Sequence, residues 1–265
     1  MSGWAAAARG GLLPRELRAT VGVVAAALLW EGLSRGGLLN PAYFPPTSRI
    51  LQVLWQDFRG GDLALHTLAT LGRLGSAFLL ASLPGLGIGI LMGLFTAARR
   101  ALDPYVMFLY PLPKVALLPL FLILLGVGDP AFVVTASLTA FFQIVVNTMD
   151  AVRHVDPLLV EVGRNYGARG FGLFWKVILP AALPGILTGL RLGLGLSLVT
   201  LIAVEFAIAK SGLGHLVWRS WQMLATPQMF AALVVVGGIG ILLTRGLRRV
   251  QDRLLRWQPT VDVWA

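Results

Sequence analysis

The chain has 265 residues, 57% of them hydrophobic and 13% charged, with a mean hydropathy of +0.78. Soluble domains carry roughly 25% charged residues, and no soluble core of this length could bury so much apolar surface, so the composition predicts an integral membrane protein. The net charge of +10 is distributed over segments between apolar runs, which argues against a nucleic acid partner, and the absence of cysteine excludes disulfides and thiolate chemistry.

Six hydrophobic segments approach the roughly 20 residues that a helix needs to cross a bilayer. They cover about 17–34, 66–97, 104–126, 131–150, 183–206 and 228–246. The first resembles a signal peptide, with Arg15 and Arg18 ahead of a run ending at Trp30, but no small-residue cleavage site follows, so it reads as an uncleaved span. Pro45-Pro46-Thr47 then leads into Ile50, Leu51, Leu54, Trp55 and Phe58, an amphipathic stretch expected to be an interfacial helix. The second span carries Pro84 with Gly85, Gly87, Gly89 and Gly93. This comes near a dinucleotide-binding glycine pattern, but it lies inside an apolar span rather than after a strand, so it predicts close helix packing. Pro111, Pro113 and Pro119 break the third span. On the fourth, Gln143 and Asn147 are four residues apart and form a polar stripe that could line a path. The fifth holds Arg191 and Glu205, fourteen residues apart and so on one face, but about 21 Å apart along the axis. Charges within spans are costly and by default suggest function; for Arg191 and Lys114 the alternative is snorkelling or interhelical hydrogen bonding. Gln143, Asn147 and Glu205 are the candidates for a translocation path.

The loop 156–180 is basic and apolar together. Asp156-Pro157 is an N-cap carboxylate followed by a proline at the first helical position. Leu158, Val162 and Tyr166 recur every fourth residue, and Gly167 stands where a helix would end. Phe171, Phe174, Trp175 and Ile178 form a second stripe, expected to stop at Leu179-Pro180. The pattern predicts two short amphipathic helices forming a docking surface. A hairpin lying in the headgroup region is the alternative.

An even number of spans puts both termini on one side. Arg9, Arg15, Arg18, Arg99, Arg100, Arg153, Arg164, Arg169, Lys176, Arg245, Arg248, Arg249, Arg253 and Arg256 fall there; Arg35, Arg49, Arg59, Lys210 and Arg219 fall on the other. Positive charge accumulates inside, so both termini and the 156–180 loop are expected to be cytoplasmic.

The spacing in that loop carries a resemblance. Glu161, Gly167, Val177 and Leu179-Pro180 keep every interval of the EAA loop of binding-protein-dependent ABC importer permeases, in which Glu-Ala-Ala, three residues, Gly, nine residues, Ile, one residue and Leu-Pro follow one another. The departures are Val162 and Gly163 for the alanines and Val177 for isoleucine; Gly163 is expected to loosen its helix by up to about 1 kcal/mol. Arg73 through Gly93, Pro119-Leu120 through Gly128, Asn147-Thr148, Gly189-Leu190-Arg191, Glu205 and Gly212-Leu213-Gly214 extend the likeness along the chain, closest to the nitrate/sulfonate/taurine-type permeases.

The resemblance implies an all-α membrane fold of six transmembrane helices, the type I importer permease fold, as one domain over 1–265. It implies a bacterial inner-membrane subunit with two ATPase subunits, a second permease copy forming a homodimer, and a periplasmic or lipid-anchored binding protein docking near Gly126–Pro130 and Lys210–Trp221. Glu161, Gly167, Phe171, Phe174, Trp175, Leu179 and Pro180 would couple to the ATPase, with Phe171, Phe174 and Trp175 as apolar anchors. ATP and Mg would sit on those partners, and this chain would hold no cofactor.

The sequence shows no phosphate loop ending in Gly-Lys-Ser/Thr, and His66, His154 and His215 match no zinc motif. An enzyme reading has no clustered groups to rest on. A self-sufficient channel or ion-coupled carrier would need an acidic or histidine relay within the spans, for which Glu205 alone is available, and it leaves the 161–180 spacing unexplained.

Overall fold

The computed structural model describes residues 15–255, with side chains from Thr20 onward. Arg9 and Arg256, two of the charges placed in the cytoplasm, lie outside the described residues. The described chain is helical throughout, in the order α1 (Arg15–Arg35), α2 (Thr47–Gly60), α3 (Asp62–Leu94), α4 (Thr96–Leu109), a 3-10 turn at Lys114–Leu117, α5 (Leu118–Leu125), α6 (Asp129–Arg153), α7 (Pro157–Asn165), α8 (Gly170–Leu173), a π turn at Phe174–Ile178, α9 (Leu179–Ile208), α10 (Leu213–Gln222) and α11 (Thr226–Leu254).

Four of these helical stretches are long and apolar enough to cross a membrane: Asp62–Leu94, Asp129–Arg153, Gly170–Ile208 and Thr226–Leu254. A fifth candidate is the third hydrophobic segment, which is not straight: α4 and the 114–125 stretch meet at 88°. Pro111 and Pro113 lack the N–H groups that would continue α4, so the regular helix ends there. Lys114 adds a donor at that end, its Nζ donating to the carbonyls of Leu109 and Tyr110 while lying over the Phe142 ring. The buried lysine is therefore a helix cap. The first hydrophobic segment is a helix as expected, but Glu31 and Arg35 interrupt its apolar run. Glu31 is tied to Arg35 and to Ser48 at the start of α2, so this end belongs to the α1–α2 junction. The expected interfacial helix is α2: Ile50 and Val53 pack on Ala231 of α11, and Leu51, Trp55 and Phe58 face outward.

The core is α6 held between α3 and α9. A β-carbon at Gly85, Gly89 or Gly93 of α3 would meet Ile144, Thr148 or Val152 of α6 at 3.1, 2.6 and 2.6 Å. The other flank of α6 repeats the arrangement: Gly185, Gly189 and Gly193 of α9 lie against Ala151, Asn147 and Ile144, with gaps of 2.5, 2.7 and 3.0 Å. Two glycine ridges spaced four residues apart bring both neighbours to backbone distance of one helix, the packing that membranes favour in place of hydrophobic exclusion. Gly87 faces open space, so three of the four expected packing glycines in the second span touch α6. Pro84 does not break α3, which runs for 33 residues.

α6 runs parallel to α3 and antiparallel to α9, which defines two ends, named outer and inner for the sides that the arginine distribution predicts. Asp62, Asp129 and Ile208 mark the outer one. Leu94, Arg153 and Leu179 mark the inner one, where the 156–180 loop lies.

Candidate functional site

At the inner end, the Asp156 carboxylate accepts from the Leu158 N–H at 2.8 Å and starts α7 as the sequence predicts. The helix closes with Gly167 at φ +86°, in the left-handed region. The Gly167 N–H bonds to Arg164 and the Ala168 N–H to Gly163, both at 2.9 Å, which satisfies the last turn's carbonyls. No residue of α7 is buried.

The second expected helix does not stop at Leu179-Pro180. Helix continues from Gly170 to Ile208, and the stripe Phe171, Phe174, Trp175 and Ile178 is the first part of the fifth span. Pro180 has no N–H for the preceding turn, a defect that would kink a plain α-helix. The chain absorbs it by widening over Phe174–Ile178, where the Leu179 N–H reaches back to the Phe174 carbonyl.

The two main departures from the motif meet in space. A β-carbon at Gly163 would lie 2.7 Å from Val177 Cγ2 and 3.2 Å from Leu173 Cδ1. Gly163 therefore lets α7 seat directly on the π turn, a contact that opposes the loosening expected from its helix propensity.

The surface so built is apolar and open. Tyr166 is 90% exposed, Phe171 75%, Leu158 62% and Trp175 53%. Phe171, Phe174 and Trp175 form one aromatic cluster with centroids 5.9–6.3 Å apart. Glu161, Arg164, Arg169 and Lys176 have no ion-pair or hydrogen-bond partner among the described residues. Glu161 and Arg164 line a cleft of about 600 Å³ with Gly93, Leu94, Arg153 and Val160. Leu179 and Pro180 are half-buried behind the cluster.

Gln143 and Asn147 share one turn of α6. Gln143 Oε1 accepts from the Tyr110 hydroxyl at 2.9 Å, and Asn147 Nδ2 donates to the Gln143 carbonyl at 2.8 Å. Both are half-buried, with Asn147 pressed against Gly189. Arg191 donates to Gln251 of α11.

The structure does not bring Glu205 to this pair. Glu205 is fully buried at the outer end and bound to Arg73, whose Nη1 donates to Glu205 Oε1 at 2.7 Å. The Thr70 hydroxyl and the Gly214 N–H complete its shell at 2.8 and 3.1 Å. Arg73 also reaches Asp129 at 2.8 Å and the carbonyl and hydroxyl of Ser211, each at 2.7 Å. His66 Nδ1 accepts from the Gly212 N–H, and Thr70 Oγ1 from the Leu213 N–H. On the same outer face, burial and the nearby charge of Asp62 raise the Asp57 carboxyl above its usual range. Sequence reasoning missed the Arg73–Glu205 pair. The available signal was that two opposite charges, each costly inside a span, have a reason to meet.

Similarity to known proteins agrees with this architecture. Two crystal forms of the inward-facing MetNI methionine ABC transporter contain a chain that superposes with TM-scores of 0.62 and 0.63, covering 71% and 73% of this chain and 93% and 96% of that one, at 22% and 21% identity. The fold is that of a type I ABC importer permease. Residues 85–257 match the family described as binding-protein-dependent transport system inner membrane component, and the chain belongs to that family. It is 35% identical over 256 residues to the taurine transport system permease protein TauC of Escherichia coli K12, covering 94% of this chain and 93% of that protein. It is 31% identical to the putative aliphatic sulfonates transport permease protein SsuC of Bacillus subtilis 168, with 88% and 85% covered. It is likewise 31% identical to the bicarbonate transport system permease protein CmpB of Synechocystis PCC 6803, with 92% and 89% covered. The protein is thus a multi-pass transport subunit of an ABC importer, and membership implies ATPase and substrate-binding-protein partners.

Proposed function

We propose that this permease works as a homodimer with two ATPase subunits and passes a small anionic or zwitterionic solute of the taurine or sulfonate kind, delivered by a periplasmic or lipid-anchored binding protein. The observation that carries the reading is the inner surface. Tyr166, Phe171 and Trp175 lie open, with four charges that have no side-chain partner among the described residues, on α7 and the start of a helix that continues through the membrane. Tyrosine and tryptophan are over-represented among the residues that dominate protein interfaces, and exposed aromatics in this number suit a surface that is covered in its working state.

In this reading both termini are cytoplasmic, as the arginine distribution implies. Phe171, Phe174 and Trp175 anchor in a cleft of the ATPase. Glu161, free of internal partners, meets a cation or helix N-terminus there, and Gly167 sets the angle between α7 and the long helix. Leu179 and Pro180 hold the π turn behind the aromatics. Gln143 and Asn147 face the path, and Glu205 serves its outer mouth from within the Arg73 ion pair. The solute class rests on the names of three similar permeases, all of which handle small anions or zwitterions.

The test is reconstitution into liposomes. Uptake of labelled taurine is expected only with the ATPase, ATP on its side, and the binding protein all present. Uptake by the permease alone would favour the channel or carrier reading. ATP-driven uptake of bicarbonate with no competition from sulfonates would move the solute class.

A further inference from the structure

Arg73 is almost wholly enclosed, with 6% of its side chain exposed, and its three nitrogens make four hydrogen bonds and a further ion-pair contact. Nε and Nη2 reach Asp129, Nη1 reaches Glu205 and the Ser211 carbonyl, and Nη2 reaches the Ser211 hydroxyl. Each acceptor lies on a different piece of chain. Asp129 directly follows the loop 126–128, whose Gly126 and Gly128 have φ of +80° and +155°. Ser211 belongs to the loop between α9 and α10, and Glu205 to α9 itself. That second loop is fitted to the carboxylate: Gly212 has φ +109°, and a β-carbon there would overlap the Glu205 carboxyl group. One guanidinium from α3 therefore fixes both outer loops to the outer end of α9. The helix that begins at Gly170 and ends at Ile208 carries Trp175 and Glu205 about 45 Å apart along its axis.

We propose that Arg73 is a positioning residue for signal transfer across the membrane: it fastens loops 126–128 and 209–214 to the long helix whose inner end bears the aromatic cluster, so that a binding protein landing on either loop moves that helix. The proposal rests on the importer reading above, with the outer loops as the docking face. The planar fork is essential to it. A lysine keeps the positive charge but offers three donors from one atom and cannot span three segments at fixed angles.

The test uses the natural absence of cysteine. Spin labels are placed on Val127→Cys and Lys210→Cys, and their separation is measured by pulsed electron resonance on permease–ATPase complexes in nanodiscs, assembled with excess unlabelled permease so that one copy of each dimer carries the labels. A single narrow distance is expected with Arg73 intact. Arg73→Lys, and separately Arg73→Gln combined with Glu205→Gln to keep the buried site neutral, are expected to broaden it. In unlabelled complexes, stimulation of ATP hydrolysis by the binding protein should fall about fivefold or more in both variants, the low end of ordinary coupling between sites. Hydrolysis without binding protein should be unchanged by Arg73→Lys. An unchanged distance distribution in both folded variants overturns the proposal, and so does a broadened distribution with full stimulation. If the unvaried complex is not stimulated at all, the importer reading itself fails and takes the proposal with it; stimulation lost only in the variants leaves that reading intact.

Discussion

The two ends of the long helix differ in how they satisfy their polar and apolar groups. At the outer end, Glu205 accepts from Thr70, Arg73 and Gly214, and Arg73 is bound to Glu205, Asp129 and Ser211. At the inner end, the most prominent side chains are aromatic and exposed, and the charges among them have no side-chain partner among the described residues. The first region meets its polar needs within one chain, while the second leaves apolar surface open, as a docking surface does. Substitutions at the outer end should therefore appear in stability, and those at the inner end in association.

The largest effect is expected from Arg73→Ala. It leaves the Glu205 carboxylate buried without its counter-charge, and breaking a buried pair from one side costs about 3–5 kcal/mol. Thermal unfolding of the detergent-purified protein should show a large drop in Tm, and a Leu pair at 73 and 205 should recover much of it. Next comes Trp175→Ala, which should weaken ATPase binding by about 2 kcal/mol or more if this tryptophan is an anchor. Its effect on the isolated permease should stay within about 0.5 kcal/mol, as for other exposed positions. A titration with the ATPase alongside an unfolding curve separates the two; a large loss of stability would merge the two ends into one class.

The glycine ridges between the ends give a contrast of opposite sign. Gly89→Ala drives a methyl group into Thr148 and should cost about 1–3 kcal/mol. Gly87→Ala, with open space around it, should be neutral or stabilising by up to about 1 kcal/mol. Asp156→Ala removes the cap of α7 and should cost about 1 kcal/mol. Hydrogen exchange should show that loss confined to 157–165. The smallest effect concerns Asp57. Its raised pKa means that folding penalises the ionised form, so stability rises as pH falls from neutral through that pKa. Asp57→Asn should be slightly more stable at neutral pH, with the difference vanishing once the aspartate is protonated in both folded and unfolded chains.

The features legible in the sequence are those that local chemistry dictates. The Asp156-Pro157 start and the Gly167 end of α7 follow from unsatisfied backbone groups and from the left-handed conformation. The packing glycines of the second span follow from spacing. What stayed hidden depended on tertiary partners. Leu179-Pro180 reads as a stop because proline ends helices, but a π turn one step earlier carries the helix through. Lys114 reads as a snorkelling charge, whereas it donates to the Leu109 and Tyr110 carbonyls at a right-angled bend. Glu205 reads as a free acid within a span because Arg73 is 132 residues away in sequence.

The most direct test of the central claim is co-purification in detergent with its ABC ATPase partner subunit, comparing the unvaried chain with Glu161→Arg and Gly167→Pro. Proline at 167 can neither adopt φ +86° nor donate to Arg164, and arginine at 161 reverses the acidic charge that α7 carries. Retention by the unvaried permease and loss from both variants, each still monodisperse, is the predicted result. Equal retention by all three, or by none, would contradict the assignment of this surface to ATPase coupling.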